Sequence, residues 1–185
     1  MAKQYISEKR NEKTKFMNTF FKQIKSDWIA HDRSIYKPGF KALLIYRFGN
    51  WRMTVKAKSL RAPLSVIYRF LERRVRFKYG IELPYTVVLG ERLIIEHQHG
   101  IVIHGNCVIG DDCIIRQGVT LGNKSLDKPL DAPVIGSKVN IGAGAKILGA
   151  VKIGDNVTIG ANAVVVKDVP AGHTAVGIPA KLISN

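Results

Sequence analysis

From Cys107 onward the hydrophobic positions recur every six residues. CVIGDD, CIIRQG and VTLGNK run from Cys107 to Lys124; PVIGSK, VNIGAG, AKILGA, VKIGDN, VTIGAN and AVVVKD run from Pro133 to Asp168. The third place of every six is aliphatic: Ile109, Ile115, Leu121, Ile135, Ile141, Ile147, Ile153, Ile159 and Val165. The fourth is most often glycine (Gly110, Gly122, Gly136, Gly142, Gly154, Gly160), and the first is small or branched. A period of six fits neither an amphipathic helix nor a long alternating strand. It predicts short strands broken by turns, with the aliphatic residue inward and the glycine or small polar residue at the turn. Such repeats build a parallel β-helix, in which each repeat buries its aliphatic side chain against the next coil.

With three sixes per coil, residues 18 apart stack, so Ile135 meets Ile153 and Ile141 meets Ile159. Upstream, VVLGER and LIIEHQ (87–98) keep the register, and HGIVIHGN adds two residues before Cys107. The stretch NKSLDKPLDA (123–132) interrupts the repeat. Loops of this kind often carry specificity, and this one is expected to stand over a site. Cys107 and Cys113 both fill the first place of a six and read as small core residues.

The chain divides into a helical region, 1–80, and the repeat domain, 81–185. All of the net charge of +15 belongs to the first part, which holds 20 Lys and Arg against 5 Asp and Glu; the second holds 9 of each. Phe16, Phe20, Phe21, Ile24, Trp28 and Ile29 fall on one helical face, flanked by Lys15, Lys22 and Lys25. APLSVIYRFLERRVRFKYG joins an apolar helix to Arg69, Arg73, Arg74, Arg76 and Lys78. Basic amphipathic segments suit an anionic membrane surface, so residues 1–80 are read as a peripheral membrane contact. No groove-reading motif or RNA module accompanies the charge, and nucleic acid is not expected as a partner. No apolar run reaches the ~20 residues that span a bilayer. The polar N-terminus and the paucity of cysteine point to the cytoplasm.

Three of five histidines crowd into RLIIEHQHGIVIHG: His97, His99 and His104. His97 takes the fifth place of its six, an outward-facing turn position, which separates it from the core. A histidine titrating near pH 6.5 suits general-base work at neutral pH. His99 and His104 have the H-x4-H spacing that also leaves a metal reading open.

The blocks GIELP, IIEHQHGIVI, IRQGVTLGN, IGAGAKILG, VKIGDNVTIGANAVVVKDVPAG and TAVGIPAKLI together resemble the hexapeptide-repeat acyltransferases of the serine acetyltransferase type. KPGFKALLIYRFGNWR (37–52) extends the resemblance. RAPLSVIYRFLERRVR is more similar still to members that O-acetylate bacterial exopolysaccharides, such as the colanic acid acetyltransferase. The resemblance implies an all-β left-handed parallel β-helix with a helical N-terminal region, and a homotrimer binding acetyl-CoA between neighbouring β-helices. It also implies direct transfer of acetyl to a hydroxyl, with no metal. His97 becomes the base and Glu82, in GIELP, its orienting carboxylate; Glu96, His99 and Asp32 fall on the acceptor side. Ala143 and Ala161 would line the acetyl-CoA groove, with Lys167 and Lys181 at its phosphates. Backbone N–H groups of the glycine-rich turns would hold the oxyanion. The γ-class carbonic anhydrases share the β-helix and bind zinc through three histidines, but the carboxylates beside His97 favour acetyl transfer.

The serine enzymes carry a histidine that contacts the amino acid where this chain has Ala132, and the spacing from Asp27 or Asp32 to PGF is shorter than theirs. The expected acceptor is therefore a saccharide hydroxyl, lipid-linked in one version, in surface polysaccharide synthesis. Serine is the alternative, and a non-catalytic trimeric scaffold a third reading.

Overall fold

The computed structural model describes residues 20–183. Phe16 and Lys15 of the first amphipathic stretch lie outside them. Among the described residues three helices come first: α1 (Phe20–Ala30), α2 (Pro38–Arg52) and α3 (Lys58–Tyr79). Gly80 ends α3 in the left-handed region, its N–H donating to the Arg76 carbonyl. Fifteen short strands follow, and every pairing but the last is parallel.

These strands form three sheets, the faces of a prism. One has five strands: β1 (Ile81–Glu82), β4 (Ile101–Ile103), β7 (Thr120–Gly122), β10 (Lys146–Leu148) and β13 (Val164–Val165). The second has four: β2 (Val88–Leu89), β5 (Val108–Ile109), β8 (Val134–Ile135) and β11 (Lys152–Ile153). The third has six: β3 (Ile94–Ile95), β6 (Ile114–Ile115), β9 (Asn140–Ile141), β12 (Thr158–Ile159), β14 (Thr174–Val176) and β15 (Lys181–Ile183), the last antiparallel to β14. Successive strands of the chain pass from face to face, the course of a parallel β-helix.

The pairings follow the predicted arithmetic. Ile135 pairs with Ile153, Ile141 with Ile159 and Ile147 with Val165, each 18 residues apart. Val108 pairs with Val134, because the eight residues of SLDKPLDA lengthen that coil. Ile94 pairs with Ile114, and Ile81 with Ile101, in coils longer by two. All nine third-place side chains are buried, with Ile153 and Val165 the most exposed at 2%. First-place Cys107, Cys113, Val119, Val139, Ala145, Val157 and Ala163 form a second ladder beside them.

The fourth-place glycines owe their place to stacking. The left-handed backbone lies at the sixth place: Asp112, Gly118, Lys138, Gly144, Asn156 and Asn162 all have φ between 56° and 73°. At Gly110 a Cβ would come within 2.6 Å of the Gly136 carbonyl carbon, and at Gly142 within 2.6 Å of the Ala161 nitrogen. Adjacent coils approach too closely there for any side chain.

The helices close the first coil. Tyr46 on α2 donates its hydroxyl to the Val87 carbonyl at 2.7 Å. Arg47 donates to the carbonyls of Gly90 (2.6 Å) and Leu89 (3.4 Å), and its Nε donates to Asp27 of α1 at 2.9 Å. Arg47 and Asp27 are both buried. The coil edge thus finds side-chain partners for backbone groups that a further coil would otherwise satisfy.

The packing makes a simple claim about the thiols. Burial pushes Cys107 up to about 12 and Cys113 up to about 11. Neither should react with an aromatic disulfide reagent at pH 8 while the chain is folded, and both should react in denaturant. Rapid reaction of either under native conditions would contradict the ladder.

Candidate active site

The chain turns three corners per coil, and the candidate residues are distributed among them. The corner entering the five-stranded sheet carries Glu96, His97, Gln98, His99 and Gly100, all exposed. It holds the two extra residues of that coil, with His99 at φ 77° and Gly100 at φ 70°. Two long-range backbone bonds clamp the turn: the His99 N–H donates to the Tyr79 carbonyl at 2.8 Å, and the Gly118 N–H to the His99 carbonyl at 2.9 Å. A Cβ on Gly80 would meet the His99 Cα at 2.9 Å, so the end of α3 lies against the turn. The histidine corner is therefore built on fixed backbone although its side chains face solvent.

Below His99 the same corner runs through Gln117, Ala143 and Ala161. Gly144 donates to the Gln117 carbonyl and Asn162 to the Ala143 carbonyl, each at 2.8 Å. Ala143 and Ala161 thus continue the His99 column, Ala143 half-buried and Ala161 exposed.

One carboxylate belongs to this corner and a second lies on the sheet it enters. Glu96 is held by Arg116, whose Nε lies 2.6 Å from Oε2; Arg116 also donates to Asn140 Oδ1 at 2.5 Å. Glu82 sits on β1, paired across to Val102 on the strand that follows the turn. Its carboxylate faces Arg76 at 3.7 Å. The structure therefore places Glu96, His97 and His99 on one corner and Glu82 on the adjoining sheet face, with each carboxylate facing an arginine. Arg116 was not anticipated. The signal lay in its position, since it occupies a fourth place where glycine is usual.

His31 anchors the turn from beneath. Its Nδ1 donates to the Asp27 carbonyl at 2.8 Å, leaving Nε2 as acceptor for the Ile95 N–H at 3.3 Å. Ile95 directly precedes Glu96 and His97. His31 is 1% exposed, and burial pulls its pKa below the ordinary value of 6.5. A Cβ on Gly39 would come within 2.4 Å of the Ile95 carbonyl oxygen, so α2 can start this close only with glycine. Asp32 lies one residue past His31 and is exposed, with Lys37 as its partner. That contact holds its carboxyl below the usual range. Of the two N-terminal acids, Asp27 is the structural one.

The next corner, at the far end of the five-stranded sheet, carries His104, the 123–132 loop and Lys167. His104 Nδ1 accepts from the Asn106 N–H at 3.2 Å. His99 and His104 therefore stand at opposite ends of β4, and no metal-binding group of three is formed among the described residues. Lys124, Ser125, Asp127, Lys128 and Asp131 line a pocket of about 430 Å³ with Gly149, Ala150 and Lys167. Within one chain the loop does not stand over His97, because the insertion leaves β7 at the opposite end of that sheet. Ala132 is buried. Lys181 is exposed on β15.

Known proteins share the repeat and the fold. The bacterial transferase hexapeptide model (six repeats) matches residues 132–167, and the hexapeptide repeat of succinyl-transferase matches 100–126. A serine acetyltransferase of Helicobacter pylori is 45% identical over 148 residues, covering 80% of this chain and 82% of that protein. One from Synechococcus elongatus is 40% identical over 146 residues, 79% of this chain. The chain spans only 57% of that relative's length. The serine acetyltransferase of Brucella abortus solved in complex with coenzyme A superposes with a TM-score of 0.78 at 27% identity, covering 96% of this chain and 72% of that one. Family and neighbours together imply a left-handed course for the β-helix. They also correct the expected acceptor. The relatives carry the name serine acetyltransferase, so the polysaccharide reading and its saccharide acceptor are withdrawn.

The His31 anchor sets a pH dependence. Its folded pKa is depressed, so below about 6.5 the unfolded chain binds the extra proton. Stability should be full above pH 6.5 and fall as pH drops through the window beneath it. Urea unfolding at pH 7.5, 6.0 and 5.0 should show that decline in the wild type and a shallower one in His31→Gln. Equal slopes would remove His31 from the account.

Proposed function

We infer that this chain, which belongs to the serine acetyltransferase family of hexapeptide-repeat proteins, transfers the acetyl group of acetyl-CoA to the hydroxyl of L-serine. The observation that carries the reading is its close identity to a serine acetyltransferase of nearly the same length.

The chemistry follows from the exposed corner. A serine hydroxyl is a weak nucleophile until its proton is being removed. A ring nitrogen of His97 takes that proton as the oxygen attacks the thioester carbonyl carbon. The tetrahedral intermediate collapses with loss of the C–S bond, and the proton passes from the imidazolium to the departing CoA sulfur. No acyl-enzyme is required, and the two cysteines, buried in the ladder, are not nucleophiles.

Glu82 is assigned to orient His97 and stabilise its charged form, by rotation from its long contact with Arg76. Serine also brings an ammonium and a carboxylate. Glu96 and Asp32 are the acids on the acceptor side, with His99 beside them. Arg116 offers the cation that Ala132 does not. Acetyl-CoA would lie along the Ala143–Ala161 edge, where small side chains let the pantetheine arm reach the backbone. Lys167 and Lys181 would meet its phosphates.

Lys167 and the loop pocket occupy a different corner from His97, Ala143 and Ala161. A groove using both corners takes one from each of two adjacent β-helices, which supports the homotrimer. Because acetyl-CoA is the donor, the reaction is assigned to the cytoplasm.

The test is CoA release, followed with a thiol reagent. With L-serine present the wild type should release CoA, and His97→Ala should lower kcat by about 10²- to 10⁴-fold. Serine-independent release, or an undiminished rate in the variant, would overturn the assignment.

A further inference from the structure

We propose that the outward face of α3 docks on an anionic lipid bilayer. The helix has two apolar sides. Tyr68 and Val75 are buried on the inner one, with Leu64 and Leu71 half-buried beside them. That side is fixed to the fold: Tyr68 packs edge-on against Tyr85, and Arg52 of α2 lies over both rings at 4.4 Å. At 100° per residue, Pro63, Val66, Ile67, Phe70 and Phe77 fall on one stripe of the opposite side, interrupted by Arg74 between Phe70 and Phe77. Phe77 is 76% exposed, Val66 66% and Phe70 62%. Packing among the described residues therefore does not account for these side chains, and an exposed apolar stripe marks an interaction surface.

The charges choose the occupant. α3 holds seven basic residues and one acid, Glu72, which is half-buried toward the inner side. Arg69 and Arg73 flank the stripe on one edge and Lys78 on the other, with Arg74 inside it, all exposed. An apolar centre between basic edges matches the boundary between acyl chains and anionic headgroups. A second copy of α3 would set these arginines against their equivalents, and a nucleic acid offers nothing to the phenyl rings. No helix among the described residues is long and apolar enough to cross a membrane, so the contact is with the surface.

The proposal is independent of the acceptor. The full chain should co-sediment with vesicles of phosphatidylcholine and phosphatidylglycerol, and not with phosphatidylcholine alone. Phe70→Ser with Phe77→Ser, and separately Arg73→Glu with Arg74→Glu, should each weaken binding by about tenfold or more. Circular dichroism should stay unchanged, because these side chains are exposed. Absence of binding to the anionic vesicles would overturn the proposal. So would undiminished binding by the phenylalanine variant, which would mean attraction by charge alone. A fall in solution mass on changing the phenylalanines would also overturn it, by showing that another copy covers the stripe.

Discussion

Everything in this fold depends on the parallel register between coils. Each strand contributes only two or three residues, so no single strand pairing is worth much. Stability comes from repetition, because an aliphatic side chain lands on another every 18 residues and the interior becomes a continuous ladder. A residue added inside a strand would turn its ladder side chains outward. Added length must therefore be expelled at corners. The chain adds length in two places, the turn at 97–100 and the loop at 123–132, and both bound the five-stranded sheet. The same constraint that forbids variation in the core concentrates it where chemistry can be built.

The ladder leaves its first coil open, and the helices answer that problem with polar side chains. Arg47 meets carbonyls of the first coil, Tyr46 meets another, and His31 accepts an N–H. Asp27 compensates the Arg47 charge, which would be costly to bury alone. This cap also fixes the candidate site, since Ile95, held by His31, leads straight into Glu96 and His97. Fold closure and site positioning are one set of contacts.

Features that repeat were legible in the sequence. The hexads gave the stacking of Ile135 on Ile153, the inward third place and the outward turn position of His97. Features that depend on a single pairing were not. Nothing in a period of six tells that the fourth-place glycine is needed for close approach while the left-handed backbone falls two places later. Asp27 and Asp32 were indistinguishable until Arg47 and Lys37 took one each. The corner that carries the loop was not legible either, because a linear sequence does not say which corner an insertion leaves from. The acceptor was misread from Ala132, from the spacing of the N-terminal acids and from the likeness of RAPLSVIYRFLERRVR to polysaccharide enzymes. The relatives' agreement over most of the chain outweighs that likeness.

The central claim is that the exposed His97 corner directs acetyl to the serine hydroxyl. The most direct measurement is the identity of the product, by NMR, after incubation of the full chain with acetyl-CoA and L-serine. The account predicts an ester on the serine Oγ, formed in step with free CoA and absent without enzyme. Release of CoA with free acetate and unmodified serine, or acetyl retained on the protein, would contradict it.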